Sequence, residues 1–564
     1  MTSATALVKS LIDHGVDTIF GLPGVQTYAL YDALHRHQDQ LHYVGSRHEQ
    51  GAAYMAFGYA KSTGRVGVYT VVPGPGFLNT AAALCSAFGA SAPVLCLTSE
   101  VPTPYIGSGA GYLHELPDQL ATMRLLTKWA ARITKPEQVP EVMDEAFRQM
   151  LTGRPRPVAL EVPWDVMLAK GDVSFPSAPP RLPADRAGAS AQSGRPVPPR
   201  DSVQAAALAN ASPIDSHAID AAVALIRNAK RPMIMVGGGA QDAGTEVLEL
   251  AQRIQAPVVS FRAGRGVVSD ESPYGLTCAA GYRWWEKTDL LIGIGTRFEL
   301  QYIRWPSRPP DLKLIRIEID PVELARLEPH AGILADARVA TGALNEALKR
   351  AGFSAPSREA ALHDIKQTTQ RDIQEIQPQL SYLQAIRDVL PRDGFFVEEI
   401  SQVGFASFFG FPVYEPRTFV TCGYQGTLGF GFPTALGVKV GNPDKPVVSI
   451  TGDGGFMFGV QELAAAVQYG INLVTVVFNN NSFGNVLRDQ RERFGGPMGS
   501  ELKNPDFVKL AESFGVAASR AQSPAQLRRC LERGFATNGP VLIEVPVPQG
   551  SEASPWKYLT PGGY

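Results

Sequence analysis

Cysteine is scarce in this chain of 564 residues: Cys85, Cys96, Cys278, Cys422 and Cys530 are odd in number, scattered, and form no Cys-x-x-Cys pair. That excludes a disulfide framework and any site built on paired thiols, and leaves buried or incidental thiols of a reducing compartment. An excess of either charge is missing too. The 52 Lys and Arg nearly balance 54 Asp and Glu, so neither nucleic acid nor an anionic membrane is an expected partner. No apolar run approaches membrane-spanning length. The opening Met-Thr-Ser-Ala-Thr-Ala-Leu-Val-Lys-Ser-Leu-Ile reads as a short amphipathic helix rather than a signal peptide. A soluble cytoplasmic enzyme is the expectation that remains.

Apolar periodicity predicts an α/β protein of three doubly wound parallel-sheet domains. Strands near 17–21, 66–72 and 93–98, separated by helical stretches, make an N-terminal domain over 1–175. Residues 176–213 are rich in Pro, Ala, Ser and Arg and read as a linker. A central Rossmann-like domain, 214–352, has a helix at 218–226 and strands at 232–236, 289–295 and 314–320; the first of these strands ends in Gly237-Gly238-Gly239. A charged, Gln-rich stretch at 363–378 leads to a third domain over 375–547. The tail 548–564 reads either as a cover for an active site or as a disordered end. The first and third domains share an architecture without a residue-level repeat.

The chemistry concentrates in the third domain. Gly-Asp-Gly-Gly (452–455) follows the β-branched run 445–451, a helix-like stretch occupies 460–470, and a second strand at 472–478 runs into Asn-Asn-Asn-Ser (479–482). In such a βαβ unit both strand tips share one edge of the sheet, the carboxyl edge where open α/β sheets bind ligands. Asp453 and Asn480 therefore come close together. A carboxylate and an amide oxygen are hard ligands suited to a magnesium ion that also holds phosphate oxygens. Gly454 and Gly455 allow backbone to approach a diphosphate.

This spacing, with Arg-His-Glu-Gln-Gly-Ala-Ala (47–53), Val-Pro-Gly-Pro-Gly (72–76) and Gly-Thr-Leu-Gly-Phe-Gly-Phe-Pro-Thr-Ala (426–435), resembles the thiamine-diphosphate-dependent enzymes, in their acetolactate-synthase-like branch. The resemblance implies a pyrimidine-binding first domain and a diphosphate-binding third domain. It implies that Asp453, the Asn480 side chain and the Ser482 carbonyl hold magnesium, and that Ser401 and Gln402 lie at the diphosphate. Glu49, which alone would pass for a first-turn helix acid, would share a proton with ring nitrogen N1′ of the cofactor. The Gly426 carbonyl would accept from the cofactor's 4′-amino group, and Leu428, otherwise a core leucine, would prop the bent cofactor. Pairing of the N-terminal domain of one subunit with the third domain of another would give a homodimer or homotetramer.

The departures from that branch bear on substrate. Gly484-Asn485-Val486, with Asp489 following, stands where acetolactate synthases carry Gly-Met-Val and then a tryptophan, which puts Asn485 in the pocket. Val25 follows Phe-Gly-Leu-Pro-Gly where pyruvate-type decarboxylases place an aspartate, and Gln26 is the nearest polar neighbour. His114, in a Gly-rich loop, is either an acid/base relay or a surface histidine, and the surface reading is preferred. Arg297-Phe298-Glu299 differs from the pattern of flavin-binding members, so a structural central domain is preferred over retained FAD. Three functions follow. The first is a carboligase that decarboxylates a 2-keto acid and adds the resulting enamine to an aldehyde or ketone. The alternatives are a simple non-oxidative 2-keto acid decarboxylase and a non-catalytic binding or regulatory relative.

Overall fold

In the computed structural model, residues 1–175 and 214–563 are described, and the expected linker 176–213 lies outside the described residues. Their strands form three six-stranded sheets, parallel at every pairing. The first contains β1 (Thr18–Gly21), β2 (His42–Gly45), β3 (Gly67–Val71), β4 (Val94–Glu100), β5 (Trp129–Arg132) and β6 (Val158–Pro163). The second contains β7 (Pro232–Val236), β8 (Val258–Ser260), β9 (Gly275–Thr277), β10 (Leu290–Ile294), β11 (Lys313–Glu318) and β12 (Ala331–Leu334). The third contains β13 (Phe395–Val397), β14 (Phe419–Val420), β15 (Val447–Gly452), β16 (Val474–Asn479), β17 (Ala517–Arg520) and β18 (Val541–Pro546). The central strands are buried along their whole length, as parallel strands covered by helices on both faces require.

The orders are β2-β1-β3-β4-β6-β5, β12-β11-β10-β7-β8-β9 and β14-β13-β15-β16-β18-β17. Counted from the first strand of each, the first and third sheets are the same permutation. The second is the dinucleotide-fold order, read from its far edge. In the first and third sheets the order reverses between the first and third strands, so each has its ligand crevice at β1/β3 or at β13/β15.

By packing, the chain divides into two compact units. One holds the described part of 1–210 with Tyr424–Pro443 and Gly459–Ile471; the other holds the described part of 211–423 with 444–458 and 472–563. The second and third sheets thus share a unit. Two helices flanking the third domain's motifs belong instead to the unit of the first sheet. The helix Glu49–Thr63 there meets the helix Gly431–Gly441 backbone to backbone. A Cβ on Gly58 would stand 2.0 Å from the Thr434 carbonyl oxygen, and one on Gly437 1.9 Å from that of Met55. Only glycine fits at either position.

Two helical stretches differ locally from the sequence expectation. The helix expected over 460–470 begins as a 3-10 turn, Val460–Glu462, and continues as the α-helix Leu463–Gln468. The stretch 78–84 belongs to two short helices, Pro75–Leu78 and Ala81–Gly89. Among the described residues no helix is long and apolar enough to cross a membrane.

Candidate active site

In the unit of the first sheet, the segments that follow the carboxyl ends of β1 to β4 carry the polar groups. Glu49 opens its helix after β2, half-buried, and its Oε2 accepts from Asn79 Nδ2 at 2.9 Å. The turn before it is held by Glu462, whose carboxylate accepts from Arg47 N at 3.0 and 3.2 Å and from His48 N at 3.0 Å. A Cβ on Gly51 would lie 2.3 Å from Glu462 Oε1, so that glycine admits the carboxylate to the helix start. Burial pushes the Glu462 carboxyl up to about 7 against those backbone donors and the Arg47 charge.

That shift gives a pH prediction. A folded value near 7 against 4.5 for the free carboxyl means that the folded protein holds this proton more tightly. The contribution to stability is therefore fully present below pH 4.5 and is lost as pH rises through 7, on the order of 3 kcal/mol. Glu462→Gln keeps one acceptor and no charge. Its melting temperature relative to wild type should climb between pH 5 and 8 by roughly one proton's linkage, and a parallel pair of pH–melting curves would contradict the assignment.

After β1, Val25 is half-buried and Gln26 is fully buried, with φ +73°. Gln26 Nε2 donates to the Leu113 carbonyl at 2.8 Å, which leaves Oε1 facing His114 Nδ1 at 2.6 Å. An amide oxygen only accepts, so the His114 ring carries a proton on Nδ1, and in the neutral ring Nε2 holds the lone pair. His114 itself has φ +70°. Two facing non-glycine residues in the left-handed region are a local strain that the surrounding bonds must maintain. Those bonds come from Glu115, which accepts from Gly109 N, Gly111 N and Tyr112 N at 2.7 to 3.0 Å, and the loop packs closely on Gly74, where a Cβ would lie 2.4 Å from the His114 carbonyl oxygen. His114 is thus no free surface histidine. Burial lowers its pKa, with the Glu49 charge opposing. In the same unit Gly426, at φ +58°, is exposed and Leu428 is half-buried; Leu428 lacks the full burial of a core leucine.

In the other unit the β13/β15 crevice is bordered by Ser401 and Gln402 on one side and 452–455 on the other. Ser401 caps the helix Gln402–Gly410, its Oγ accepting from Gly404 N at 3.0 Å. Gln402 is 7% exposed, and its amide oxygen has no partner among the described residues. A Cβ on Gly452 would come 3.5 Å from that of Ser401, an ordinary contact, whereas one on Gly454 would strike the Phe483 ring at 2.3 Å and one on Gly455 would reach Glu399 Oε1 at 3.0 Å. Packing on Phe483 and Glu399 already accounts for the last two glycines.

Asp453 is 2% exposed, and its Oδ2 accepts from Ser482 N at 3.2 Å and Asn504 Nδ2 at 2.6 Å. Burial raises its pKa against these donors. Asn480 Oδ1 accepts from the same Ser482 N at 3.1 Å and from Ser482 Oγ at 2.8 Å. The intervening Asn481 adopts φ +53°, which asparagine tolerates better than most residues, and so turns the chain after β16 back toward Asp453. The carboxylate and the amide oxygen therefore converge on one backbone N–H, as the βαβ reading requires. A buried carboxylate held by neutral donors beside an amide oxygen is a hard-oxygen set that fits a small dication. Such a set suits a dication that also holds phosphate oxygens.

Sequence reasoning did not find Glu462, Asn504 or Glu552. Glu552 lies in the tail, and its Oε2 accepts from Asn480 Nδ2 at 2.7 Å. Asn485 Oδ1 accepts from Arg488 and, at 2.7 Å, from Trp556 Nε1 of the same tail. Glu462 had a faint signal, an acid in a Gln-Glu-Leu run closely following the Gly-Asp-Gly turn; Glu552 had none.

One sheet thus carries a carboxylate beyond a strand tip, and another of the same strand order carries hard oxygens at its own crevice, features that fit a diphosphate-cofactor enzyme. Models of the thiamine pyrophosphate enzymes match the N-terminal TPP binding domain at residues 1–122, the central domain at 219–344 and the C-terminal TPP binding domain at 400–545. The chain belongs to this family, and is a thiamine-diphosphate-dependent enzyme that forms or breaks carbon–carbon bonds. It is 34% identical to a probable 2-ketoarginine decarboxylase of Pseudomonas aeruginosa over 97% of this chain and 94% of that one. It is 33% identical to a probable acetolactate synthase large subunit of Methanocaldococcus jannaschii, over 100% and 94%. With the acetolactate synthase large subunit of Haemophilus influenzae the identity is 30%, over 98% and 96%.

Proposed function

We propose that the protein is a thiamine-diphosphate- and magnesium-dependent carboligase, which decarboxylates a 2-keto acid and joins the product to the carbonyl of an aldehyde or ketone. When bound, the cofactor supplies the electron sink for the pair released with carbon dioxide. In this reading Asp453, Asn480 and the Ser482 carbonyl hold magnesium, and Ser401, Gln402, Gly454 and Gly455 border the diphosphate. Glu49 holds and returns a proton at N1′, the Gly426 carbonyl orients the cofactor's amino group, and Leu428 supports its bend. The enzyme works in the cytoplasm as a homodimer or homotetramer. Flavin plays no part: Gly237 and Gly239 are accounted for by packing against Gly295 and Thr296 at the tip of β10, and a flavin spectrum in the purified protein would overturn this.

The observation that carries the ligase reading is Val25. It places an alkyl group after β1 where a committed decarboxylase needs an acid, and with no side-chain acid at that position a second carbonyl has time to intercept. His114 favours the second reading, a simple non-oxidative decarboxylase, because it offers a titratable group in the same loop cluster. Its lowered pKa keeps the ring neutral at pH 7, however, so it accepts protons there rather than donating them.

The expected result is ligated product from several 2-keto acids, pyruvate and a guanidino keto acid included, when aldehyde is supplied and products are read by mass spectrometry. The free-aldehyde share should rise only as pH falls into the acid range beneath the ordinary imidazole value, because burial lowers the His114 pKa, and His114→Gln should flatten that rise. Free aldehyde alone from every keto acid, with acceptor in excess, would refute the ligase reading and leave the decarboxylase.

A further inference from the structure

The residues after β18 cross the second unit as a strap pinned just beyond Glu552. Ala553 N donates to the Gln377 carbonyl at 3.0 Å and Gln379 Nε2 donates to the Ala553 carbonyl at 2.6 Å. Further along, the Trp556 ring packs on Phe405 at 4.9 Å, Tyr558 packs on Phe409 at 5.2 Å, and Leu559 is 1% exposed. Held this way, Glu552 accepts from Asn480 Nδ2 at 2.7 Å.

A side-chain amide is nearly symmetric in shape but opposite in polarity at its two ends, and only its partners decide which end faces where. The Glu552 carboxylate accepts, so it takes the NH2 end of Asn480. The oxygen end must then face the other way, toward the Ser482 N–H that Asp453 Oδ2 also uses. A flipped amide would aim two N–H donors at the place where a cation would sit. The same strap orients Asn485: with Trp556 Nε1 and Arg488 both donating to Oδ1, that residue is left to present its NH2.

We propose that Glu552 is a positioning residue, carried in by the C-terminal strap, which fixes Asn480 with its amide oxygen toward Asp453 and so makes docking of the strap a condition of metal loading. The proposal rests on the magnesium reading above. Partners that orient a metal ligand typically account for ten- to a hundredfold in metal affinity.

The test is calorimetric titration of magnesium into the full-length protein at saturating thiamine diphosphate, a readout independent of turnover. Glu552→Ala should weaken magnesium at least tenfold. Glu552→Met keeps the volume without an acceptor and should do the same, which covers the case in which the alanine variant does not fold. Glu552→Gln retains an acceptor and should stay within about threefold of wild type. Wild-type affinity in the Ala and Met variants would overturn the proposal. So would a Gln variant as weak as Ala, since charge rather than orientation would then be at work. Asp453→Ala separates the two readings: if it too binds magnesium normally, the metal assignment is at fault, whereas loss there with none at Glu552 removes the positioning role alone.

Discussion

Asp453→Ala should yield a folded protein that retains neither magnesium nor thiamine diphosphate after gel filtration. The carboxylate is buried, its pKa is raised by burial, and its contacts are neutral N–H groups of Ser482 and Asn504. Removing it from the cofactor-free protein strands those donors, at about 1–3 kcal/mol, but also relieves a desolvated charge. The two effects oppose, so the melting temperature without cofactor should move little. With cofactor the balance differs: a dication and a diphosphate would meet with one anionic ligand missing in a partly dry site, a loss of roughly 3 kcal/mol or more, at least a hundredfold in affinity. Ligand stabilises a fold in proportion to the logarithm of its concentration over Kd, so the rise in melting temperature that cofactor gives wild type should vanish. A variant that keeps that rise, or a wild type whose rise does not need magnesium, would refute the metal set.

The parts of this architecture written in hydrophobic period were legible. The strands at 232–236 and 289–295 and the pair around Gly-Asp-Gly appear within a residue or two of their expected places, because buried parallel strands are near-continuous apolar runs. The outer strands β5 and β17 are only partly buried and carry no such run, so no strand was expected there. Asp453 and Asn480 could be brought together because a βαβ crossover fixes both tips to one edge. The partners of these residues could not. Glu462 reaches Arg47 across 415 positions and Glu552 reaches Asn480 across 72, and no local pattern encodes a contact made by chain return. His114 misled for a related reason: a glycine-rich loop reads as exposed until Gln26, 88 positions earlier, is seen to hold its ring.

The first and third sheets repeat one strand permutation without a repeat of residues, and each keeps its polar groups where that permutation opens a crevice. Topology therefore supplies the place, and the residues at each strand tip supply the chemistry. The first sheet offers a carboxylate and a tautomer-locked histidine, groups that handle protons. The third offers hard oxygens, groups that hold charge.

Glu49→Gln is expected to separate these two tasks. The amide preserves the length of the side chain, and its oxygen can still accept from Asn79 Nδ2, which now bonds Glu49 Oε2 at 2.9 Å. Glu462 still fixes the preceding turn through Arg47 N and His48 N, so the helix start keeps its geometry and magnesium and cofactor affinity should stay near wild type. What the amide lacks is a proton that it can give up and take back. If Glu49 shares one with the cofactor ring, kcat should fall on the order of a hundredfold or more, the usual worth of a positioned acid–base group. Exchange of the thiazolium carbon's proton for deuterium, followed by quenched-flow NMR, should slow in step, because it reports proton removal without substrate. Glu49→Asp, one methylene shorter, should recover part of the exchange rate, since the exchangeable proton returns but the reach is wrong. Exchange at the wild-type rate in Glu49→Gln, with turnover lost, would place Glu49 in substrate handling rather than in activation of the cofactor.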